Sequence, residues 1–176
     1  MSDFYARDLA EIHAEGFGAL GAAAAQVVRE ALGDRITGAR IVDIGCGAGA
    51  LSAPLSEAGA EVWGLELSPD LLDIARRRAP RAVFRQGSLH EADLPEADVV
   101  CAIGEEAERI LTRWITTFRE TGGTWRRSQE VHRLALLAPD QVLAALDAAG
   151  FEAETLPGYG ALSLPAGLQA YRAVRS

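Results

Sequence analysis

Cysteine is scarce in this chain, aromatic residues are few, and no apolar run is long enough to cross a bilayer. Only Cys46 and Cys101 occur, one beside glycines and one in an apolar run. Neither reads as part of a disulfide framework or a zinc cluster, and a reducing cytoplasm is the expected setting. Basic residues are outnumbered, 17 against 25 acidic. The resulting net charge of −8 argues against a nucleic-acid footprint or attraction to anionic membranes and favours small-molecule or protein partners. The opening stretch MSDFYARDLAEIH lacks a basic segment followed by an apolar core, so neither export nor membrane insertion is expected. What is present, 49% hydrophobic and 24% charged residues over 176 positions, suits a single globular domain.

Residues 2 to 32 carry Phe4, Leu9, Ile12, Phe17, Leu20, Val27, Val28 and Leu32 in a mostly helical pattern interrupted at Gly16 and Gly18, which predicts two helices ahead of the core. The alanine-rich stretch Ala19 to Ala25 is helix-favouring composition. Short β-branched runs then alternate with amphipathic stretches. Strands are expected at Arg40 to Ile44, Glu61 to Leu65, Ala82 to Arg85 and Asp98 to Ala102, with helices starting near Ala50 and Pro69. That alternation implies a parallel sheet with crossover helices. Residues 110 to 137 read as two long antiparallel strands joined at Gly122-Gly123. Ile110, Leu111, Trp114, Ile115 and Phe118 also share one helical face, so a helix over Ala107 to Phe118 competes with the hairpin. The polar run WRRSQE favours the hairpin. Pro139 opens a helix ending at Gly150, with Val142, Leu143, Leu146 and Ala149 inward, and Phe151 to Arg175 reads as two strands around turns.

The chemistry is concentrated in Ile41-Val42-Asp43-Ile44-Gly45-Cys46-Gly47-Ala48-Gly49, a strand running into a glycine-rich turn and a helix. Gly45 and Gly47 let the backbone turn sharply and approach a ligand closely. Spacing alone does not name the ligand, because Gly45, Gly47 and Ala50 also satisfy the dinucleotide pattern G-x-G-x-x-G/A. Asp43 separates the readings. A carboxylate two residues before the first glycine repels a pyrophosphate but attracts the ammonium and sulfonium of S-adenosylmethionine (SAM). Glu66, at the end of the next strand, is placed to accept from both ribose hydroxyls.

With those residues in view, VDIGCGAGALS, VWGLELSPDLLDIAR and FRQGSLHEADLPEADVVCAIGE resemble class I SAM-dependent methyltransferases acting on small molecules, over about residues 40 to 106. The resemblance implies a Rossmann-like three-layer α/β sandwich with a mostly parallel sheet and antiparallel C-terminal strands. It divides one domain into a helical cap (1–36), a cofactor core (37–106) and a remainder (107–176). It implies that Asp43, Gly45, Cys46 and Gly47 line the methionine end, that Glu66 holds the ribose, and that Leu67, Ser88 and Leu89 border the adenine. Ile103 then lies by the methyl group, with Glu105 facing the pocket. Many relatives carry aspartate where Ser88 stands, which leaves a hydroxyl to serve the base. SQEVHRLALLAPDQVLAALDAAGFEAE resembles a family segment that forms substrate wall, making His132 a pocket candidate or else a half-exposed strand residue. Phe4, Tyr5, His13 and Phe17 read either as an aromatic lid over the sulfonium or as core of the cap, with Tyr5 and Phe17 the substrate candidates.

One departure stands out. Relatives place a helix, a fifth parallel strand and a further helix after the fourth strand, whereas here AIGEEAERI passes almost directly into LTRWITTFRETGG. A segment is missing near Glu106 to Ile110 by deletion, by engineering or by omission from the chain, and the retained downstream patterning favours omission. A real deletion exposes a sheet edge that a second copy of the chain is one way to cover. The expected reaction moves a methyl group from SAM to N, O or C of a small acceptor, leaving S-adenosylhomocysteine (SAH). Glu105, His132 or His13 is the candidate base, and no metal is expected. Two rivals remain, a catalytically silent SAM-binding module and a nicotinamide-dependent oxidoreductase.

Overall fold

The computed structural model of the chain describes residues 5–16, 18–89, 91–102, 110–135, 137–165 and 168–175. Two helices come first, α1 (Arg7–Gly16) and α2 (Gly18–Leu32), followed by a short 3₁₀ turn at Gly33–Ile36. Strand β1 (Arg40–Ile44) leads through α3 (Ser52–Glu57) to β2 (Glu61–Glu66), and α4 (Pro69–Arg78) leads to β3 (Val83–Gln86), with β4 (Val99–Ala102) beyond. These strands form one parallel sheet in the order β3-β2-β1-β4, with α3 against β2 and α4 against β2 and β3. Every expected core strand is present within a residue or so of its expected bounds.

The sheet explains where a ligand can sit. The chain steps from β1 outward to β2 and β3, then returns to place β4 on the other side of β1. Strand order therefore reverses beside β1, and in open α/β sheets the crevice outside the carboxyl ends at such a point is the binding site. The turn after β1 lies there. Around it the core is tightly closed: Ile41, Val42, Leu55, Leu71 and Leu72 are essentially without solvent contact. Helix α4 is well specified locally. Ser68 caps it by accepting from the Leu71 N–H at 3.2 Å, Pro69 occupies the first turn, and Arg76, Arg77 and Arg78 complement the dipole at its end.

Small residues, not the larger apolar ones, form the buried face of α2. Gly21, Ala24 and Ala25 are its buried positions, and a Cβ added at Gly21 meets the Ala50 Cβ at 2.7 Å. The alanine run is a close-packing stripe.

Beyond the parallel sheet, β5 (Ile110–Thr121) and β6 (Thr124–Ala135) pair as a hairpin, which overturns the competing helix over 107 to 118. Gly122 and Gly123 have φ of 60° and 79°, the doubly positive backbone of a two-residue turn whose twist matches the flanking strands. Helix α5 (Pro139–Ala148) then leads to β7 (Phe151–Leu156), the short pair β8 (Gly158–Tyr159) and β9 (Leu162–Ser163), and β10 (Ala170–Arg175), which pairs antiparallel with β7. The small β8–β9 pair adds to the two strands expected. Val142, Leu143 and Leu146 of α5 are half-buried as the pattern implies, but Ala149 is exposed because it lies at the cap, past the last inward turn.

The chain divides into two compact units, Met1–Ile103 with Trp114–Glu130, and Gly104–Arg113 with Val131–Ser176. Among the described residues the parallel sheet ends at β4, and no strand takes the fifth place beyond it. The junction where a segment was expected to be missing lies mostly outside the described residues. Among the described residues no helix is long and apolar enough to cross a membrane, and no group of three or more His, Cys, Asp or Glu can hold a metal ion.

Candidate functional site

The turn after β1 is held by the end of β2. Gly45 N–H and Cys46 N–H both donate to the Leu65 carbonyl, at 2.8 and 3.0 Å, and Gly49 N–H donates to the Cys46 carbonyl. Gly45 and Gly47 have φ of 69° and 51°, the left-handed region that glycine adopts without strain. A side chain at Gly45 meets nothing, and one at Gly47 has His13 Cε1 as its nearest neighbour, at 3.9 Å. The turn thus presents bare backbone to open space.

Two carboxylates flank that backbone. Asp43 is 2% exposed and Glu66 9% exposed. Glu66 is bound on both oxygens: Oε2 accepts from Gly47 N–H at 3.1 Å and Oε1 from Ser68 N–H at 2.9 Å. A carboxylate offers about four acceptor positions, so two stay available to ligand hydroxyls. Asp43 Oδ2 accepts from the Ser52 hydroxyl at 2.6 Å. Burial pushes the Asp43 carboxyl up to about 6, against the opposing Ser52 hydrogen bond and with help from the negative charge of Glu66. Among the described residues neither carboxylate forms an ion pair. Two nearby buried acids without a cation form a site that a positively charged, hydroxyl-bearing ligand completes. SAM has that donor set, and the residues present fit it.

The other expected contacts fall at neighbouring strand ends. Leu67 follows β2 and Leu89 lies just past β3, and both are about half exposed, at 51% and 49%. Gln86 Nε2 donates to the Leu67 carbonyl at 3.1 Å, and the Ser88 carbonyl accepts from the N–H groups of Glu91 and Ala92. Apolar side chains left open next to Glu66 suit the face of a purine. Cys46 packs into the core with Ala53, Leu72 and Phe84, and burial raises its thiol far above the usual range. It contributes backbone to the turn rather than a reactive sulfur.

Helix α1 lies over the same turn. Ala10 packs with Ala48 and Leu71, joined by Tyr5, and the rings of Tyr5 and His13 meet edge to face at 4.7 Å. The Tyr5 carbonyl accepts from the Ser68 hydroxyl at 2.8 Å, with Tyr5 itself at φ 53°. Ser68 therefore ties together the Glu66 carboxylate, the α4 cap and the cap segment. Ser52 and Ser68 went unnoticed in the sequence because a serine at a helix start reads only as a cap. His132 is 1% exposed in β6, within the second unit, so it is not the half-exposed strand residue of the alternative reading. Ile103, Glu105 and Phe17 lie outside the described residues.

Part of the chain is similar to known proteins. Residues 41–122 match the methyltransferase domain family. Magnesium-protoporphyrin O-methyltransferase of Rhodobacter capsulatus is 37% identical over 70 residues, 40% of this chain and 31% of that protein. Ubiquinone biosynthesis O-methyltransferase of Azorhizobium caulinodans is 42% identical over 74 residues, 39% of this chain and 29% of that protein. The chain thus matches about a third of the length of these curated relatives. Among solved structures, a SAM-dependent methyltransferase from Clostridium acetobutylicum aligns with a TM-score of 0.72 at 10% identity, covering 96% of this chain and 97% of that one. The amino pentose methyltransferase CalS10 from Micromonospora echinaspora, solved with SAM bound, aligns with a TM-score of 0.65 at 19% identity, covering 98% of each chain. The glycine turn and both acidic strand ends lie inside the stretch that is similar to the methyltransferase domain, and the chain shares the fold of these SAM-dependent methyltransferase structures.

Proposed function

We propose that the chain transfers the methyl group of SAM to a nitrogen, oxygen or carbon of a small-molecule acceptor. One observation carries the reading: an open glycine turn flanked by two buried carboxylates that, among the described residues, lack a cationic partner. In this reading Asp43 attracts the ammonium end, the bare backbone of Gly45, Cys46 and Gly47 lets the ligand lie close, and the free acceptor positions of Glu66 take the ribose hydroxyls. Leu67 and Leu89 sandwich the adenine, with Ser88 at its edge and Ile103 near the methyl group. When bound, SAM supplies an electrophilic methyl carbon. The protein's contribution is alignment and exclusion of water, for which Tyr5, His13 and Phe17 form the cover. His13, whose ring lies beside the turn, takes the acceptor's proton where one must leave, with Glu105 and His132 as the other candidates. His132 also belongs to the substrate wall. Residues 1–36, 37–106 and 107–176 act as cap, cofactor core and substrate part of one domain, working in the cytoplasm without nucleic acid or membrane.

Acceptor classes follow from what relatives do, among them a protoporphyrin, a ubiquinone precursor and an amino sugar. The test is incubation with methyl-labelled SAM and a panel of small phenols, carboxylic acids and amino sugars. Label transferred to an acceptor, with SAH formed in equal amount, supports the proposal. Tight SAH binding with no transfer to any acceptor makes the chain a silent SAM-binding module. NAD binding without SAH binding returns the oxidoreductase reading.

A further inference from the structure

The two faces of the β5–β6 hairpin differ sharply. On one face Arg126 forms a two-point contact with Asp8 of α1 (Nε to Oδ2, 2.7 Å), Arg119 reaches Asp8 and Glu11, and Glu130 accepts from the Ala6 N–H at 3.0 Å. The hairpin is thereby fastened to the cap helix. Side chains alternate along a strand, so Trp114, Thr116, Phe118 and Glu120 of β5 share the opposite face with Trp125, Arg127 and Gln129 of β6. The bond from Gln129 to Thr116 on that face, and the Thr117–Ser128 contact on the other, give the register that sets Phe118 opposite Arg127 and Glu120 opposite Trp125. Trp114, Phe118 and Trp125 are 76%, 62% and 67% exposed.

We propose that this aromatic face is where a second copy of the chain binds, forming a two-fold dimer. Area favours it. Aromatic side chains each present about 150–250 Å², so at these exposures the three rings leave roughly 300–500 Å² of apolar surface open. A patch of that size on a soluble chain marks a binding surface. The surrounding Thr116, Glu120, Arg127 and Gln129 extend it toward the about 800 Å² per partner that a stable dimer buries. Composition favours it as well, since the face has aromatic and arginine side chains at its centre and polar ones around them.

Charge selects the occupant. The chain carries a net charge of −8 and repels its own copies at most approaches, yet within Trp114–Glu130 this face pairs one acid, Glu120, with one base, Arg127, and Arg133 follows on the same side of β6. A two-fold axis through the face sets Glu120 of each copy against Arg127 of the other, which makes the surface self-complementary. A nucleic acid needs a broad run of positive charge to offset its phosphates, and here Glu120 offsets one of the two arginines, Arg127 and Arg133. The inference does not depend on the methyl-transfer reading.

Sedimentation velocity over a concentration series tests it. The chain is expected to sediment as a dimer. Replacing Trp114 and Phe118 together by serine should raise the dimer dissociation constant about thirtyfold or more, as loss of a central aromatic anchor does. A charge-reversal series guards against misfolding of that variant. Glu120→Arg alone should weaken the dimer, and Glu120→Arg with Arg127→Glu should restore it, each with the far-ultraviolet circular dichroism of the parent. A monomer throughout the series overturns the proposal. So does a dimer that all three variants leave unchanged.

Discussion

Between residues 41 and 72 the chain removes Ile41, Val42, Leu55, Leu65, Leu71 and Leu72 almost completely from solvent, whereas past residue 130 the buried described residues are His132, Ala138 and Ala170. The first region is a parallel sheet closed by helices, with strands that share hydrogen bonds on both sides of β1 and β2. Among its described residues the C-terminal unit pairs β7 with β10 and the short β8 with β9, both antiparallel, and its α5 has no fully buried residue. Precision at the candidate cofactor turn thus rests on a core that is complete without ligand. The C-terminal unit has little apolar burial to resist local opening. A site that aligns a bound ligand closely needs the first kind of support.

The largest effect that sharpens this contrast is on stability. Leu72→Ala deletes a side chain with no solvent exposure and should lower the unfolding free energy by about 2–5 kcal/mol. Val142→Ala, on the half-buried face of α5, should lower it by about 1 kcal/mol or less. Urea denaturation of both variants measures the difference, and equal losses would erase the distinction between the two regions.

Proton linkage gives the next effect. The Asp43 carboxyl sits near 6 in the folded chain, above its ordinary 3.8, so folding takes up a proton as pH falls between these values. Free-chain stability from this group is present below about 4 and is lost as pH rises through 6. A cationic ligand requires the ionised form, so its affinity runs the other way and should weaken about tenfold from pH 7 to pH 5. Isothermal titration with SAH across this range should show the slope, and Asp43→Asn should flatten it. An unchanged slope in that variant assigns the pH dependence to another group.

The smallest effect concerns the tie between cap and hairpin. The Arg126 hydrogen bonds hold Asp8 below the usual carboxylate range, but both arginines are partly solvated. Asp8→Asn should cost about 1 kcal/mol or less in unfolding free energy. It should also speed amide hydrogen exchange in Arg7–Gly16 while leaving β1 and β2 protected. Unchanged exchange in α1 would show that apolar packing alone seats the helix.

Much of the first region was legible from periodicity, because its strands are short, β-branched and separated by helices with clear start signals, such as Ser68-Pro69-Asp70. The hairpin was legible from Gly122-Gly123 even though Trp114 and Phe118 also suited a helix. Long-range polar ties were not. Nothing local in the sequence says that Glu66 accepts from Gly47 and Ser68, that Ser52 caps the Asp43 carboxylate, or that Arg119 and Arg126 reach across to α1. The consequence reaches experiment design. Truncating Glu66 to alanine leaves two buried N–H groups unpaired, at roughly 1–3 kcal/mol each, so that variant confounds binding with folding. An isosteric amide keeps one acceptor and leaves only one N–H unpaired, which makes it the milder probe.

The most direct test is calorimetric titration of SAH into the chain and into Asp43→Asn and Glu66→Gln at pH 7, with urea unfolding of each as a control. The account predicts binding to the parent and a loss of about 1.5–3 kcal/mol, or roughly ten- to over a hundredfold in affinity, in each variant. The unfolding free energy of Glu66→Gln should fall by about 1–3 kcal/mol, because its amide nitrogen faces one of the two N–H donors, and that of Asp43→Asn should not fall. Parent affinity retained in both variants would contradict the assignment of this turn as the cofactor site.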